Sequence, residues 1–272
     1  MPARRQTGNQ DMSNSDKKSG IFITARLGSK RVLQKHLLPV NDQPILSYLL
    51  GRIKKAFQTE IEKEEIYVVI VTSDERENRI FEKFTGDGVT VYYGDVHNIP
   101  LRHLQTAEDR NLDAVIAVDG DDILCSVEGM KAVYHALKTG VPYAQTAGLP
   151  LGMNVMGYTT LFLKESLGQS NEKILETGWT RLFDQTRLHQ IQVSLPDYSY
   201  EQLRFTLDYQ EDYLFFNALI ENLADCVWTI SDVELVNLVT EKHLYRLNDS
   251  VAKKYWDNFH RQKKQEETGS YD

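Results

Sequence analysis

A cluster of positive charge follows the apolar run at residues 21–25. This run is short and rich in β-branched and aromatic side chains, which predicts a buried strand. Arg26, Arg31 and Lys35 come after it, with Gly28 between them. Guanidinium and ammonium groups bind phosphate oxygens, and a glycine lets backbone N–H groups approach a ligand closely. The stretch favours a loop for a nucleotide triphosphate, and a solvated basic loop is the alternative.

The common phosphate-binding motifs are absent from this stretch. The Walker pattern Gly-x-x-x-x-Gly-Lys-Ser/Thr does not occur, and no Gly-x-Gly-x-x-Gly follows the strand. A less common nucleotide-binding loop therefore has to be considered.

A group of carboxylates follows a second apolar run, at residues 113–118. Asp119, Asp121 and Asp122 occupy three of the next four positions. Adjacent carboxylates repel one another unless a cation compensates them, and Mg²⁺ binds through one or two carboxylates plus substrate phosphates. The pattern favours a magnesium site, and acidic residues at a helix N-terminus are the alternative.

The hydrophobic pattern predicts alternating strands and helices. Strands are predicted at 21–25, 66–71, 89–93, 113–118, 143–146, 153–157 and 189–194. Helices are predicted at 44–57, 75–84, 101–110, 126–139, 160–168, 171–177, 211–223, 233–240 and 250–260. This order predicts an α/β fold, a single Rossmann-like three-layer domain with a mostly parallel sheet, and a β-rich insertion in the second half. Ligands of such sheets bind beyond the carboxyl ends of the strands, so both charged groups are expected in one cleft.

Composition narrows the class of protein. The chain has 272 residues, and its net charge of −8 argues against general nucleic-acid binding. The two cysteines form no Cys-x-x-Cys pair, and no apolar run approaches the ~20 residues that span a membrane. We expect a cytoplasmic protein with a disordered tail at 1–19, one domain at 20–260 and a frayed tail at 261–272.

The basic stretch resembles the opening motif of the sugar-acid cytidylyltransferases, Ala-Arg-x-Gly-Ser-x-Arg-Leu-Pro-Gly-Lys. The leucine before the glycine is most similar to the spore-coat polysaccharide branch. The matching residues are Ala25, Arg26, Gly28, Ser29, Arg31 and Lys35. Leu33 and Gln34 stand where this family usually has Pro-Gly.

Two further stretches resemble motifs of the same family. Residues 118–124 are similar to Val-x-Gly-Asp-x-Pro-Leu, which implies that Asp121 binds Mg²⁺; Ile123 replaces the proline. Residues 203–213 are similar to Leu-Arg-x-Thr-Leu-Asp-x-x-Glu-Asp, which implies that Asp208 is the second metal ligand. By itself, Asp208 reads as a helix N-cap with Glu211 as its capping-box partner.

The resemblance implies a nucleotidyltransferase fold similar to that of GT-A enzymes and a CTP-dependent enzyme that transfers CMP to a sugar acid or similar anionic acceptor. It implies Mg²⁺, release of pyrophosphate and a homodimer, to which we assign the β-rich insertion. We predict that Arg26, Arg31 and Lys35 stabilise the leaving pyrophosphate. The predicted nucleotide-binding residues are Ala25, Arg26, Leu27, Gly28, Ser29, Arg31, Lys35, Ser73 and Asp119. Arg102, which follows a Gly-Asp pair as in the family, is the acceptor-binding candidate, with Arg181 and Arg187 as further possibilities.

Three alternatives stay open. Asp119-Gly120-Asp121 is an Asp-x-Asp at a strand end, as in metal-dependent glycosyltransferases, but this reading leaves the basic loop unexplained. A non-catalytic nucleotide-binding protein on the same fold is compatible with the departures at Leu33, Gln34 and Ile123. A haloacid-type phosphatase is more distant, because its Asp-x-Asp follows the first strand.

Overall fold

A seven-stranded sheet forms the centre of the molecule. The computed structural model describes residues 17–29, 31–195 and 203–268. The strands are β1 (Ser19–Thr24), β2 (Pro39–Val40), β3 (Gln43–Pro44), β4 (Ile66–Ser73), β5 (Val89–Gly94), β6 (Ala114–Asp119), β7 (Tyr143–Ala147), β8 (Met156–Thr159) and β9 (Leu188–Gln192). The sheet order is β5-β4-β1-β6-β8-β7-β9, and β2 and β3 form a separate pair.

Eight α-helices accompany the strands in the described ranges. They are α1 (Leu46–Ala56), α2 (Gln58–Glu62), α3 (Ile99–Asp109), α4 (Val127–Lys138), α5 (Thr160–Gly168), α6 (Gln210–Leu223), α7 (Asp232–Glu241) and α8 (Ala252–Thr268). Of these, none is long and apolar enough to cross a membrane. The segment predicted as a helix at 75–84 is a 3-10 helix at Arg76–Phe84.

Alternate side chains of β1 anchor the two outer layers. Ile21 and Ile23 pack with α1 and α4 on one face of the sheet, whereas Phe22 packs with α3 and α5 on the other. Successive side chains of a strand point to opposite faces, so a fully buried strand is apolar at every position. This arrangement confirms the predicted three-layer α/β fold with a mostly parallel sheet.

The order of the strands places a crevice between β1 and β6. The chain builds outward from β1 to β4 and β5, and then returns through α3 to β6 on the opposite side of β1. Both neighbours pair with β1 in parallel, and Thr24 is in register with Asp119. The basic loop after β1 and the acidic turn after β6 therefore meet at the switch point of the sheet, where open α/β folds bind ligands.

The predicted β-rich insertion in the second half of the chain is not confirmed. In the described residues, β7, β8 and β9 extend the central sheet beyond β6, because β8 pairs antiparallel with β6. A third apolar cluster joins α6 and α7 to Ile123 and Phe205 beneath the acidic turn. The predicted strand at 153–157 begins later, as β8.

One predicted helix is wrong for the described residues. The segment 171–177 is irregular rather than helical, because Leu175 makes a β-bridge with Asn98. In the segment predicted as a frayed tail, α8 continues to Thr268. Glu266 in this segment accepts hydrogen bonds from the backbone N–H groups of Glu176 and Thr177. Residues 1–16, Lys30, 196–202 and 269–272 lie outside the described residues, including most of the tail predicted at 1–19.

Candidate active site

The loops after β1 and β6 pack directly against each other. The Gly120 amide donates a hydrogen bond of 2.8 Å to the Thr24 carbonyl. A Cβ atom on Gly120 would lie 2.9 Å from the Cβ of Ala25 and 3.0 Å from His36 Nε2. Such contacts exclude a larger residue, so glycine at this position allows the acidic turn to approach the basic loop.

A buried lysine lies between the two predicted metal ligands. Lys35 Nζ forms an ion pair with Asp121 and a contact of 3.3 Å with Asp208 Oδ1. Although burial lowers the pKa of Lys35, these two carboxylates outweigh it and raise the pKa above its usual value. Burial raises the pKa of Asp121, but the Lys35 charge and a 2.9 Å contact with His36 Nε2 bring it below its usual value. The three side chains form one charged centre.

A second network fixes the position of Asp208. Arg31 Nη2 donates to Asp208 Oδ1 at 2.6 Å, and Arg204 Nη2 donates to Oδ2 at 2.9 Å. Arg204 Nε also donates to Asp212 Oδ1 at 2.9 Å. The Asp212 carboxylate in turn accepts the backbone N–H groups of Asp208 and Tyr209. Asp208 is thus held from its backbone and from both carboxylate oxygens.

The capping prediction for this segment is corrected by the structure. Tyr209, not Asp208, is the N-cap of α6, and Asp212 takes the capping-box position expected for Glu211. Asp212 is buried and directed into the network, and this leaves the Asp208 carboxylate to its arginine and lysine partners.

Ser73 stabilises the basic loop through hydrogen bonds that lead to the Leu27 backbone. Its hydroxyl donates to Glu75 Oε2 at 2.6 Å and accepts from Asn78 Nδ2 at 2.8 Å. Asn78 Oδ1 accepts the Leu27 backbone N–H at 2.9 Å. Ser73 and Asn78 are fully buried, so the predicted nucleotide-binding role of Ser73 is replaced by support of Leu27.

The left-handed backbone of the loop occurs at Gln34. Gly28 has open space around its Cβ position and no positive φ, whereas Gln34 has φ 50° and ψ 36°. Glycine favours this conformation, and the related motif has glycine at the same place. The tight turn of the loop therefore lies at Gln34 and not at Gly28. The Ser29 hydroxyl accepts the Val32 N–H at 3.4 Å. Ala25, which precedes the loop, is buried.

Arg26 is paired with a carboxylate from the irregular segment. Its Nη2 lies 2.7 Å from Glu176 Oε2, and His97 Nδ1 lies 3.0 Å from Glu176 Oε1. The Arg26 side chain is 44% exposed, so it stays open to an incoming ligand.

The other two carboxyl groups of the acidic turn have elevated pKa values. Asp119 is exposed at the end of β6, yet desolvation by the surrounding protein, together with the charge of Asp121, raises its pKa to about 7. Burial and its two acidic neighbours raise the pKa of Asp122 well above the usual value, against a hydrogen bond from Thr206. Repulsion among the three carboxyl groups of the turn therefore favours protonation of Asp119 and Asp122.

The predicted acceptor-binding arginines do not face the charged centre. Arg102 is buried and donates to the carbonyls of Asp95 (2.8 Å) and Val96 (3.2 Å), and burial beside Arg26 lowers its pKa to about 10. Arg102 therefore has a structural role here instead of the predicted acceptor-binding role.

Arg181 and Arg187 have carboxylate partners of their own. Arg181 binds Glu172 at 2.6 Å, and Arg187 binds Glu165 at 2.7 Å. Arg187 lines a cavity with Ser19, at the amino end of β1 and opposite the cleft.

Four residues of this site were not assigned a role from the sequence. They are His36, Glu176, Arg204 and Asp212. Arg204 and Asp212 lie within the third motif, which was a usable signal. His36 follows Lys35 directly, but nothing in the spacing identified its partner. No motif or spacing in the sequence pointed to Glu176.

The donor set fits Mg²⁺. Asp121 and Asp208 both contact one ammonium group, so their carboxylates converge on a point that already accommodates positive charge. No group of three or more His, Cys, Asp or Glu side chains in the described ranges is arranged to hold a metal ion. Two carboxylates plus substrate phosphates suit Mg²⁺, which seldom uses an all-protein cage.

Comparison with known proteins is consistent with this geometry. The chain is 28% identical over 202 residues to an uncharacterised protein of Methanocaldococcus jannaschii, covering 73% of this chain and 81% of that protein. It is 25% identical over 226 residues to the spore coat polysaccharide biosynthesis protein SpsF of Bacillus subtilis, covering 80% and 92%. It is 32% identical over 124 residues to 3-deoxy-manno-octulosonate cytidylyltransferase 2 of Hydrogenovibrio crunogenus, covering 44% and 47%.

The fold is that of a nucleotidyltransferase. A cytidylyltransferase from Leptospira borgpetersenii superposes with a TM-score of 0.71 at 22% identity, covering 85% of this chain and 98% of that one. The cytidylyltransferase family matches residues 21–245, and the chain belongs to that family. This membership confirms the expected class, a CTP-dependent nucleotidyltransferase.

Proposed function

We propose that this enzyme transfers CMP from CTP to an acceptor that carries an anionic group, such as a sugar acid, and releases pyrophosphate. The observation that supports this most strongly is the convergence of Arg31 and Lys35 with Asp121 and Asp208 in one cleft. The names of the relatives from Hydrogenovibrio crunogenus and Bacillus subtilis support a carbohydrate acceptor.

The reaction exchanges one phosphorus–oxygen bond for another. An acceptor oxygen attacks the α-phosphorus of CTP, the bond from that phosphorus to the bridging oxygen of the β-phosphate breaks, and pyrophosphate leaves. Such a reaction needs positioning and charge neutralisation more than a protein nucleophile. Bound Mg²⁺, held by Asp121 and Asp208, would neutralise charge on the triphosphate.

The side chains of the basic loop bind the leaving group in this account. Arg26, Arg31 and Lys35 neutralise the β- and γ-phosphates, and the fork of an arginine suits two oxygens at once. Gly28 and Ser29 add backbone N–H and hydroxyl donors on the exposed side of the loop. Arg31 and Lys35 exchange part of their contact with Asp208 for contact with phosphate.

Pyrophosphate release tests this function. The protein is incubated with Mg²⁺ and CTP, UTP, ATP or GTP, against a panel of sugar acids and phosphonates. We expect release with CTP and at least one acceptor. A nucleoside diphosphate product would instead support the glycosyltransferase alternative, and CTP binding without turnover would support a non-catalytic protein.

We also propose that the enzyme is a homodimer and acts in the cytoplasm. The dimer is inferred by analogy with the related enzymes. Light scattering in solution tests it, and a monomeric mass at micromolar concentration would contradict it.

A further inference from the structure

An anionic acceptor needs a cation close to Asp208, and this inference rests on the proposed function. The cations found in the cleft already have carboxylate partners. Arg26, Arg31, Lys35 and Arg204 each form an ion pair. An acceptor would have to compete with those carboxylates, so a cation with no such partner would bind it better.

Lys254 meets this requirement. It is exposed on α8, and its Nζ lies 4.7 Å from the centre of the Tyr209 ring. Tyr209 follows Asp208 directly in the chain. Among the described residues, no carboxylate lies within 4.0 Å of the Lys254 amine, so none of them competes with a ligand for this charge.

Tyr209 brings Lys254 together with the other charges of the site. The guanidinium carbon of Arg31 lies 5.4 Å from the same ring, and that of Arg204 lies 5.8 Å away. Arg204 is buried and paired with Asp212, whereas Arg31 and Lys254 are exposed. Lys254 and Arg31 are therefore the cations of this group that a ligand can reach, and Arg31 is already paired with Asp208. A positive region therefore lies beside the second metal ligand.

Contacts of α8 with the metal-binding segment fix the position of Lys254. Asn258 Nδ2 donates a hydrogen bond of 2.7 Å to the Tyr209 hydroxyl. The Tyr255 ring lies 4.3 Å from the guanidinium carbon of Arg204, a distance suited to a cation–π contact. Both contacts come from residues of α8 within one turn after Lys254.

We propose that Lys254 is a specificity-determining residue that binds the anionic group of the acceptor, a carboxylate or a phosphonate. Lys254 takes the acceptor-binding role that the sequence suggested for Arg102, Arg181 and Arg187, whose side chains bind other partners. Helix α8 lies after residue 245, where the match to the family ends. The residue that selects the acceptor therefore comes from a part of this chain outside the shared family region.

Steady-state kinetics of four proteins tests this assignment. Wild type, Lys254→Gln, Lys254→Arg and the matched control Lys253→Gln are assayed for pyrophosphate release with 3-deoxy-manno-octulosonate, N-acetylneuraminate and hydroxymethylphosphonate. We expect Lys254→Gln to raise the KM for the acceptor about tenfold, with the KM for CTP within about twofold. Lys254→Arg should keep most of the affinity, and Lys253→Gln should match wild type. A response limited to the phosphonate would exclude a carboxylate as the bound group.

Two outcomes overturn the assignment. One is an unchanged KM for the acceptor in Lys254→Gln, and the other is an equal rise in the KM for CTP, which places Lys254 on the nucleotide. If wild type releases no pyrophosphate, the proposed function fails for these acceptors. Equilibrium dialysis of the same acids against the CTP-saturated protein then tests acceptor binding at Lys254 without requiring turnover. Weaker binding by Lys254→Gln supports it, whereas absent or unchanged binding overturns it.

Discussion

Arg31 and Asp208 lie 177 residues apart in the sequence and form an ion pair of 2.6 Å. Arg31 belongs to the loop after β1, and Asp208 immediately precedes the N-cap of α6. The pair joins the predicted phosphate-binding loop to the second predicted metal ligand. It orders both halves of the cleft around the place where the triphosphate is expected to bind.

Loss of the Asp121 carboxylate should abolish most activity without unfolding the protein. We expect Asp121→Asn to lower the rate of pyrophosphate release at least ~100-fold, which is the scale of a lost electrostatic contribution to catalysis. The variant should still fold, because Lys35 keeps its contact with Asp208, but its thermal unfolding should shift to a lower temperature because Lys35 and His36 lose a stabilising carboxylate. Asp249→Asn, at an exposed position, is the control for loss of one negative charge. Near-wild-type turnover in Asp121→Asn would refute the metal assignment.

Removal of the Glu176 charge should strengthen binding of CTP. Glu176 holds Arg26 at 2.7 Å, so the triphosphate has to displace a carboxylate from that guanidinium. We expect Glu176→Gln to lower the Kd for CTP about three- to tenfold, measured by isothermal titration calorimetry. Glu172→Gln is the matched control in the same segment, because Glu172 pairs with Arg181. An unchanged or higher Kd in Glu176→Gln would show that Glu176 does not compete for Arg26.

A glycine at position 34 should stabilise the loop. Gln34 has φ 50° and ψ 36°, a left-handed conformation that costs a side-chain-bearing residue about 1 kcal/mol or more. We expect Gln34→Gly to raise the free energy of unfolding by ~0.5–1 kcal/mol, measured by urea denaturation. Leu33→Gly is the control: Leu33 is exposed and has no positive φ, so glycine there should be neutral or destabilising. A loss of stability in Gln34→Gly would contradict this account.

Acid should destabilise the protein through His103. This side chain is fully buried between Thr24 and Tyr158, and burial together with Arg102 lowers its pKa from 6.5 to about 3. The unfolded chain therefore takes up the proton first as pH falls, and stability is lost progressively below pH 6.5. The contribution approaches ~1.4 kcal/mol per pH unit for one proton.

Denaturation curves between about pH 7 and pH 5 check this pH dependence. We expect the free energy of unfolding of His103→Gln to depend less steeply on pH than that of wild type. His189→Gln, at an exposed position, should retain the wild-type slope. Equal slopes in His103→Gln and wild type would show that His103 is not the group responsible.

The sequence predicts the central sheet and the ends of its strands well. Local periodicity is sufficient there, because the apolar runs at 21–23 in β1 and 114–118 in β6 are buried on both faces of the sheet. Their order in the sheet then brings Arg31 and Asp121 to the same edge, as the rule for α/β folds requires.

The partners of individual charges follow from tertiary structure and could not be predicted. Glu176 reaches Arg26 because residues 171–177 form an irregular bridge to Asn98, where periodicity indicated a helix. Helix α8 was predicted, but its approach to Tyr209 depends on packing outside the recognised motifs. The motif match points to Arg102 as the acceptor-binding residue, because a motif reports the spacing of residues in the sequence. It does not report that the Arg102 side chain is buried.

The most direct test of CMP transfer follows a ³²P label from a known phosphate of CTP into the products. The protein is incubated with Mg²⁺ and an acceptor, using CTP labelled with ³²P in either the α- or the γ-phosphate. The account predicts that the α-label appears in an acceptor conjugate and the γ-label in pyrophosphate, with both transfers lost in Asp121→Asn. Recovery of the γ-label as free phosphate, or of the α-label in a nucleoside diphosphate, would contradict it.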